Sequence, residues 1–308
     1  MRFAVADHRF LSFFPPYRAF TPLDDPGGLP DSVFPLRGGV IVWNLATGDW
    51  GRGFRAVRCR PPGVALFLLL PPPDALGDTD RLLELMEHCR PHSVLPHQEE
   101  LESEEMTSVL RRMPSEFSLE VMDYLRWRGI EVDMDTRTIL RKTLELSGEL
   151  RTVQGLARSL YMSRRALGRR FMTRGLPVPS HWLHFGRVLR ASIMLQNSGA
   201  TLVSVGCEMG YSDGFSLSNQ MKRLTGLRPS LMRTCFGWEW IVESWLHLEA
   251  KEGNLSPALR RHLFPGTTEE ARRAGARRTE ATSERRRMLR VAEEAGTATS
   301  EVRFREES

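Results

Sequence analysis

Apolar positions recur along this 308-residue chain with two different periods, and the change of period divides it. Near the front the apolar runs are short and nearly unbroken. Gly39 to Leu45 (Gly-Val-Ile-Val-Trp-Asn-Leu) reads as a strand, and Phe54 to Arg58 as a weaker one. Ala65 to Leu70, in the strongest apolar run, reads as a buried strand stopped by Pro71-Pro72-Pro73. Ser93 to Leu95 reads as a further short strand, and one more lies near Phe3. Helical spacing appears at Asp80–Cys89, with Leu82, Leu83, Leu85 and Met86 as the apolar face, then at Glu100–Arg112 and Leu119–Arg128. The rest of residues 1–37, rich in proline and aromatics, reads as loop. Strand alternating with helix predicts a small α/β layer domain over residues 1–135 rather than a barrel.

From residue 136 the pattern is helical throughout. A helix is predicted at Thr136–Leu146 and a long one at Trp182–Gln196, where Trp182, Phe185, Leu189, Ile193 and Gln196 trace one face. Between and beyond them the same short motif occurs twice, about 50 residues apart. Thr152 to Leu160, a turn at Tyr161-Met162-Ser163, and Arg164 to Phe171 form the first copy. Thr201 to Met209, a turn at Gly210 to Asp213, and Gly214 to Arg223 form the second. Each is a helix opened by a threonine cap, a tight turn and a second helix. Ala157 and Gly206 are the small residues where paired helices touch. Leu167 with Phe171, and Leu217 with Met221, are i,i+4 anchors that turn the second helices inward on one side. Further helices are expected at Trp238–Leu248 and Pro257–Leu263. Residues 266–308, with ten arginines, nine acids and few large apolar residues, are expected to be disordered. The predicted organisation is 1–135, 136–235, a helical extension at 236–265 and a charged tail at 266–308.

Charge sharpens this division. Residues 136–235 carry 16 Lys+Arg against 4 Asp+Glu, net +12, whereas residues 1–135 are net −7 and the remainder is neutral. A basic domain beside an acidic one is the electrostatic footprint of a nucleic-acid binder. A hydrophobic content of 41% supports real cores, no apolar run is long enough to cross a membrane, and Met1 to Asp7 lacks a signal-peptide pattern. Cys59, Cys89, Cys207 and Cys235 are scattered without CxxC spacing, which fits a reducing cytoplasm and neither a disulfide framework nor a zinc site. His88, His92 and His97 do not match a known metal-ligand spacing, and the acids from Glu99 to Glu105 suit a solvated helix start. No catalytic residue, metal ligand or cofactor site is predicted.

The residues Gly210-Tyr211-Ser212-Asp213, Leu217 to Ser230 and Arg233 resemble the signature of AraC/XylS-type transcriptional regulators. The resemblance extends upstream through Leu156-Ala157, Met162 to Arg165, Leu167, Arg169-Arg170-Phe171, Gly175-Leu176-Pro177, Trp182-Leu183, Arg187 and Arg190-Ala191. It covers roughly residues 136–235 and implies two recognition helices entering successive major grooves of double-stranded DNA. Many members of that family carry an N-terminal cupin-like barrel; the strand and helix pattern here suits a receiver-like α/β module better. Because residues 1–135 contain no lysine and the strand at Ala65–Leu70 ends in prolines rather than aspartate, that module is expected to be a degenerate receiver used for contacts. Two positions depart from the family pattern. Tyr161 stands where the first turn often has glycine, and Gly206 where the second unit usually has alanine.

By that resemblance the base-reading candidates are Arg165 and Arg169 in the first unit, with Gly168 offering no side chain, and Phe215, Ser216 and Asn219 in the second. Arg164, Arg170, Lys222 and Arg223 are the candidates for phosphate. The expected function is that of a cytoplasmic, sequence-specific transcriptional regulator. RNA polymerase and a second copy of the chain are further candidate partners, and the effector is unassigned. An architectural DNA binder without sequence preference is the alternative. A repair alkyltransferase is a third reading, which would need clustered N-terminal cysteines where only Cys59 and Cys89 occur.

Overall fold

The computed structural model describes residues 2–264 except Ala6, residues 30–37, Gly48, Asp78 and Ser198. The tail expected at 266–308 lies outside the described residues. An N-terminal mixed α/β domain is followed by an all-α, multi-helix domain.

The α/β domain is built on a five-stranded sheet. Its strands are β2 (Phe10–Phe13), β3 (Thr21–Leu23), β4 (Gly39–Asn44), β5 (Val64–Leu69) and β6 (Ser93–Leu95), in the order β3-β2-β4-β5-β6. β2 runs antiparallel to both β3 and β4, while β4, β5 and β6 are parallel. Every residue of β4 and β5 is buried, as their unbroken apolar runs require of central strands covered on both faces. The two-residue period sorts them. Ile41, Trp43, Leu66 and Leu68 join Leu82, Leu85 and Cys89 of α2 (Thr79–Cys89) and Val57 of α1 (Trp50–Arg58). Val40, Val42, Phe67 and Leu69 face Met106 and Leu110 of α3 (Ser103–Arg111). A separate pair, β1 (Arg2–Ala4) with β7 (Glu100–Glu102), completes this domain. The layering is α/β, as expected of a receiver-like module, but the sheet is mixed and its three parallel strands follow sequence order.

Four local expectations are corrected. The segment 54–58 is helix rather than strand: Trp50, Phe54 and Val57 recur at helical spacing, and Asp49 caps the helix through Gly51 N at 2.8 Å. Glu100 to Glu102 is the strand β7 rather than the start of a helix, because Leu101 is buried opposite Phe3. Leu83 leaves the apolar face of α2 and is 57% exposed. The strands β2 and β3 were hidden among proline and aromatic turn signals, which bound them rather than fill them.

The helical domain comprises α4 (Phe117–Trp127), α5 (Met134–Glu145), α6 (Val153–Ser159), α7 (Arg164–Thr173), α8 (Pro179–Asn197), α9 (Leu202–Glu208), α10 (Gly214–Thr225), α11 (Pro229–Thr234), α12 (Glu239–Lys251) and α13 (Pro257–Leu263). One hydrophobic cluster runs through them from Phe117 to Phe264. Two helices are buried nearly all round, α8 and α12. Phe185 of α8 stacks on Trp245 of α12 with ring centroids 4.1 Å apart.

α12 carries three buried carboxylates, and each ties it to a different part of the chain. Glu239 takes His92 Nδ1 at 2.7 Å and Arg90 at 3.4 Å, both from the α/β domain. Burial raises its proton affinity, but the charges of His92 and Arg90 more than offset this and hold its pKa at about 2. Glu243 accepts from the Tyr124 hydroxyl at 2.9 Å and from Arg128, both from α4 and its end. The same hydroxyl accepts Gly63 N just before β5. Glu249 binds His181 of α8 and the Trp245 indole N–H at 3.0 Å. Buried acids persist only when paired in this way. Tyr17 closes the other end of the junction: its hydroxyl donates to Gly38 O and accepts Phe236 N at 2.8 Å.

Candidate nucleic-acid interface

Both helix-turn-helix units rest on the same local construction. Thr152 Oγ1 accepts Gly155 N, Ser163 Oγ accepts Ala166 N, and Thr201 Oγ1 accepts Ser204 N, each at 3.1 Å; Asp213 Oδ1 accepts Ser216 N at 2.6 Å. All four helices are therefore capped through a side chain, which satisfies an otherwise orphaned N–H. The first helix of each pair ends in a left-handed residue, Tyr161 (φ +53°) and Gly210 (φ +75°). Met162 N then returns to Ala157 O at 2.9 Å and Tyr211 N to Gly206 O at 2.8 Å, the closing bond of a Schellman turn. The tight approach at the second turn explains Gly206: a Cβ there would lie 3.2 Å from Asp213 O. Leu167 and Phe171 in α7, and Leu217 and Met221 in α10, are buried as the i,i+4 anchors. Both units pack on α8.

Anchoring one side of each second helix leaves the other to solvent. On α7, Arg164, Arg165 and Arg169 are exposed, and none has an ion-pair or hydrogen-bond partner among the described residues. On α10, Phe215 is 74% exposed, and Asn219, Lys222 and Arg223 are exposed beside it. Ser216 is half-buried, its hydroxyl 2.9 Å from that of Ser212, and Arg223 binds Gln220 at 2.8 Å. The first surface is cationic; the second is aromatic and amide-bearing with two cations at its far end.

Arg170 stands apart from its neighbours. It lies 3.4 Å from Asp133 and 3.3 Å from Asp135, at the start of α5, and Arg174 lies 2.8 Å from Asp133. Hydrogen bonds from the Thr136 hydroxyl and N–H, followed by these guanidinium groups, hold Asp133 down to about 2. The pairing of Asp133 and Asp135 with α7 was missed from sequence. Their separation from Arg170 by more than 30 positions gave no local signal. Three more arginines serve the scaffold. Arg187 donates to Leu150 O, Arg190 to Leu144 O at 3.2 Å, and Arg233 to Ala200 O at 2.6 Å. These lie within the residues that carry the AraC/XylS resemblance, and they hold α8 to the end of α5 and the loop after it, and α11 to the loop before α9.

His88 bonds the Glu84 carbonyl of its own helix and His92 bonds Glu239. Among the described residues no group of three or more His, Cys, Asp or Glu is placed to hold a metal ion. No helix among them is long and apolar enough to cross a membrane.

One comparison with known protein families bears on these helices. A family model described as a helix-turn-helix domain matches residues 156–234. No curated relative matches the chain. Among solved structures, the crystal structure of the transcriptional regulator CdpR from Pseudomonas aeruginosa is similar at 19% identity, covering 56% of this chain, with a TM-score of 0.30. The match spans 56% of the CdpR chain. The family match runs from α6 into α11, so it includes both units and the helix between them. This chain therefore contains a helix-turn-helix domain within residues 156–234.

Proposed function

We propose that the chain is a sequence-specific transcriptional regulator of the AraC/XylS type, in which residues 136–235 read DNA and residues 1–135 serve sensing or contacts. The observation that carries this reading is the pair of capped helices, α7 and α10, each anchored on one face and exposed on the other, mounted on a single buried helix. α8 has 19 residues. At 1.5 Å per residue it is about 28 Å long, comparable to the ~34 Å between successive major grooves on one face of B-DNA. Arg165 and Arg169 then read bases in one groove, where arginine is suited to guanine. Asn219 and Phe215 read the other, through adenine and a thymine methyl, with Ser216 at its edge. Arg164, Lys222 and Arg223 hold phosphates, and Arg170 joins them when it leaves its acids.

Selection of bound sites from random duplex DNA tests the reading. Arg169→Ala is expected to cost about 1–3 kcal/mol and to relax preference at one or two adjacent positions. Asn219→Ala is expected to relax a different cluster about 10 base pairs away. Loss of preference at the same base pairs in both variants would refute bipartite reading. Loss of affinity with no change of preference in either would favour an architectural binder.

A further inference from the structure

The α/β domain and the helix-turn-helix domain meet along an open cleft of about 660 Å³. Its walls come from Pro15 and Tyr17 near the chain start, from Thr107 and Arg111 of α3, and from Leu231 and Phe236 beside α11. A cleft of this size at a domain junction, mostly apolar with a few polar groups, has the dimensions of a small-molecule site.

Arg111 gives the cleft its chemistry. Its guanidinium carbon lies over the Phe236 ring, 4.0 Å from the centroid. Phe236 is stacked from its other neighbour by Tyr17, with centroids 4.7 Å apart. The result is a layered aromatic and guanidinium wall, held in place because the Tyr17 hydroxyl is fixed by Gly38 and Phe236. Other part-buried arginines at this junction are paired: Arg90 with Glu239 and Arg128 with Glu243. Among the described residues Arg111 has no hydrogen-bond or ion-pair partner, and its Nε is shut off from solvent. A guanidinium desolvated on one side and unpaired is a ready acceptor site for an anion.

We propose that this cleft binds a small organic monoanion, a carboxylate carried on a flat apolar body. The carboxylate pairs with Arg111, and the body lies along Phe236, Pro15 and Leu231. The charges lining the cleft are Arg111 and Arg233 against Glu104. Arg233 also donates to Ala200 O but keeps its charge, so two cations against one carboxylate leave the described lining at a net of one positive charge, which sets the preferred ligand charge at minus one. The proposal stands apart from the DNA reading and needs no DNA for its test.

Phenylacetate and its uncharged isostere phenylacetamide are the probes, titrated calorimetrically into the full chain. Methyl NMR at Thr107 and Leu231 locates the binding. Phenylacetate is expected to bind saturably, about tenfold or more tighter than the amide, since a charge-assisted pair is the difference between them. Arg111→Met is expected to erase that preference. Thr107→Trp, at a partly exposed position, is expected to fill the cleft and block both probes, and it serves as the second variant should Arg111→Met disturb folding. Absence of saturable phenylacetate binding, equal binding of the amide, or binding unaffected by Thr107→Trp overturns the proposal.

Discussion

The two helix-turn-helix units share one construction and differ in almost every exposed residue. Each has a capped first helix, a Schellman turn and a capped second helix with an i,i+4 pair buried beneath it. Yet four residues separate α6 from α7 and five separate α9 from α10. Tyr161 occupies the left-handed position of one turn and Gly210 that of the other. α7 presents arginines; α10 presents Phe215 and Asn219. The support also differs: α10 packs against α12 as well as α8, whereas the acids at the start of α5 hold α7. The difference teaches that fold constrains the inner face and the caps, while the outer face is free to diverge toward different groove chemistry.

The largest expected effect separates the two supports. Glu243 is fully buried and accepts from Tyr124 and Arg128. Glu243→Ala leaves a buried guanidinium and a hydroxyl without their acceptor, which should cost about 3–5 kcal/mol in chemical denaturation. Because α12 contacts α10, hydrogen exchange should rise in α10 before it rises in α7. Equal loss of protection in both helices would mean that the two units share one support after all.

A smaller effect tests the surfaces. If the DNA reading holds, Arg164→Ala should lower the slope of log affinity against log salt by about 0.9, the value for one released phosphate contact. Phe215→Ala should leave the slope alone and weaken binding only at sites that present a thymine methyl. Asp133→Asn works in the opposite direction: by loosening Arg170 and Arg174 it should steepen the slope. A slope unmoved by Arg164→Ala would remove that residue from the phosphate contacts.

Much of this was legible in the sequence, for physical reasons that also mark where legibility ended. The two units were readable because caps, turns and i,i+4 anchors are local: Thr152, Ser163, Thr201 and Asp213 cap the helices they precede. The central strands β4 and β5 were readable from unbroken apolar runs. What escaped was long-range. β2 is defined by pairing with β4 nearly 30 residues away. The ion pairs of Asp133, Glu239 and Glu243 each join distant parts of the chain. A trace of the last was present, since acids inside the apolar run from Trp238 to Leu248 demand partners. Net charge misled in a different way. It counts Arg187, Arg190 and Arg233 with Arg165 and Arg169, although the first three hold backbone carbonyls of the scaffold.

The smallest expected effect bears on the turns themselves. Tyr161 is 98% exposed, so its ring contributes almost no packing to the fold. Its backbone sits at φ +53°, where a β-carbon crowds the following carbonyl at a cost of roughly 1–2 kcal/mol. Glycine removes that cost but gains more freedom in the unfolded chain, which offsets about 0.4–1 kcal/mol. Tyr161→Gly should therefore stabilise the protein by about 0.5–1 kcal/mol, whereas Gly210→Ala, placing a β-carbon at φ +75° in the matching turn, should destabilise it. Opposite signs in thermal unfolding would establish that the two turns share one backbone geometry and that the first carries strain the second avoids. A residue kept in a strained conformation with its ring in solvent invites a functional comparison. If Tyr161→Gly gains stability and also loses affinity for DNA, the ring contributes at the duplex. If stability rises and DNA binding is unchanged, the tyrosine is simply the poorer turn residue, and the contrast between the units reduces to their recognition helices.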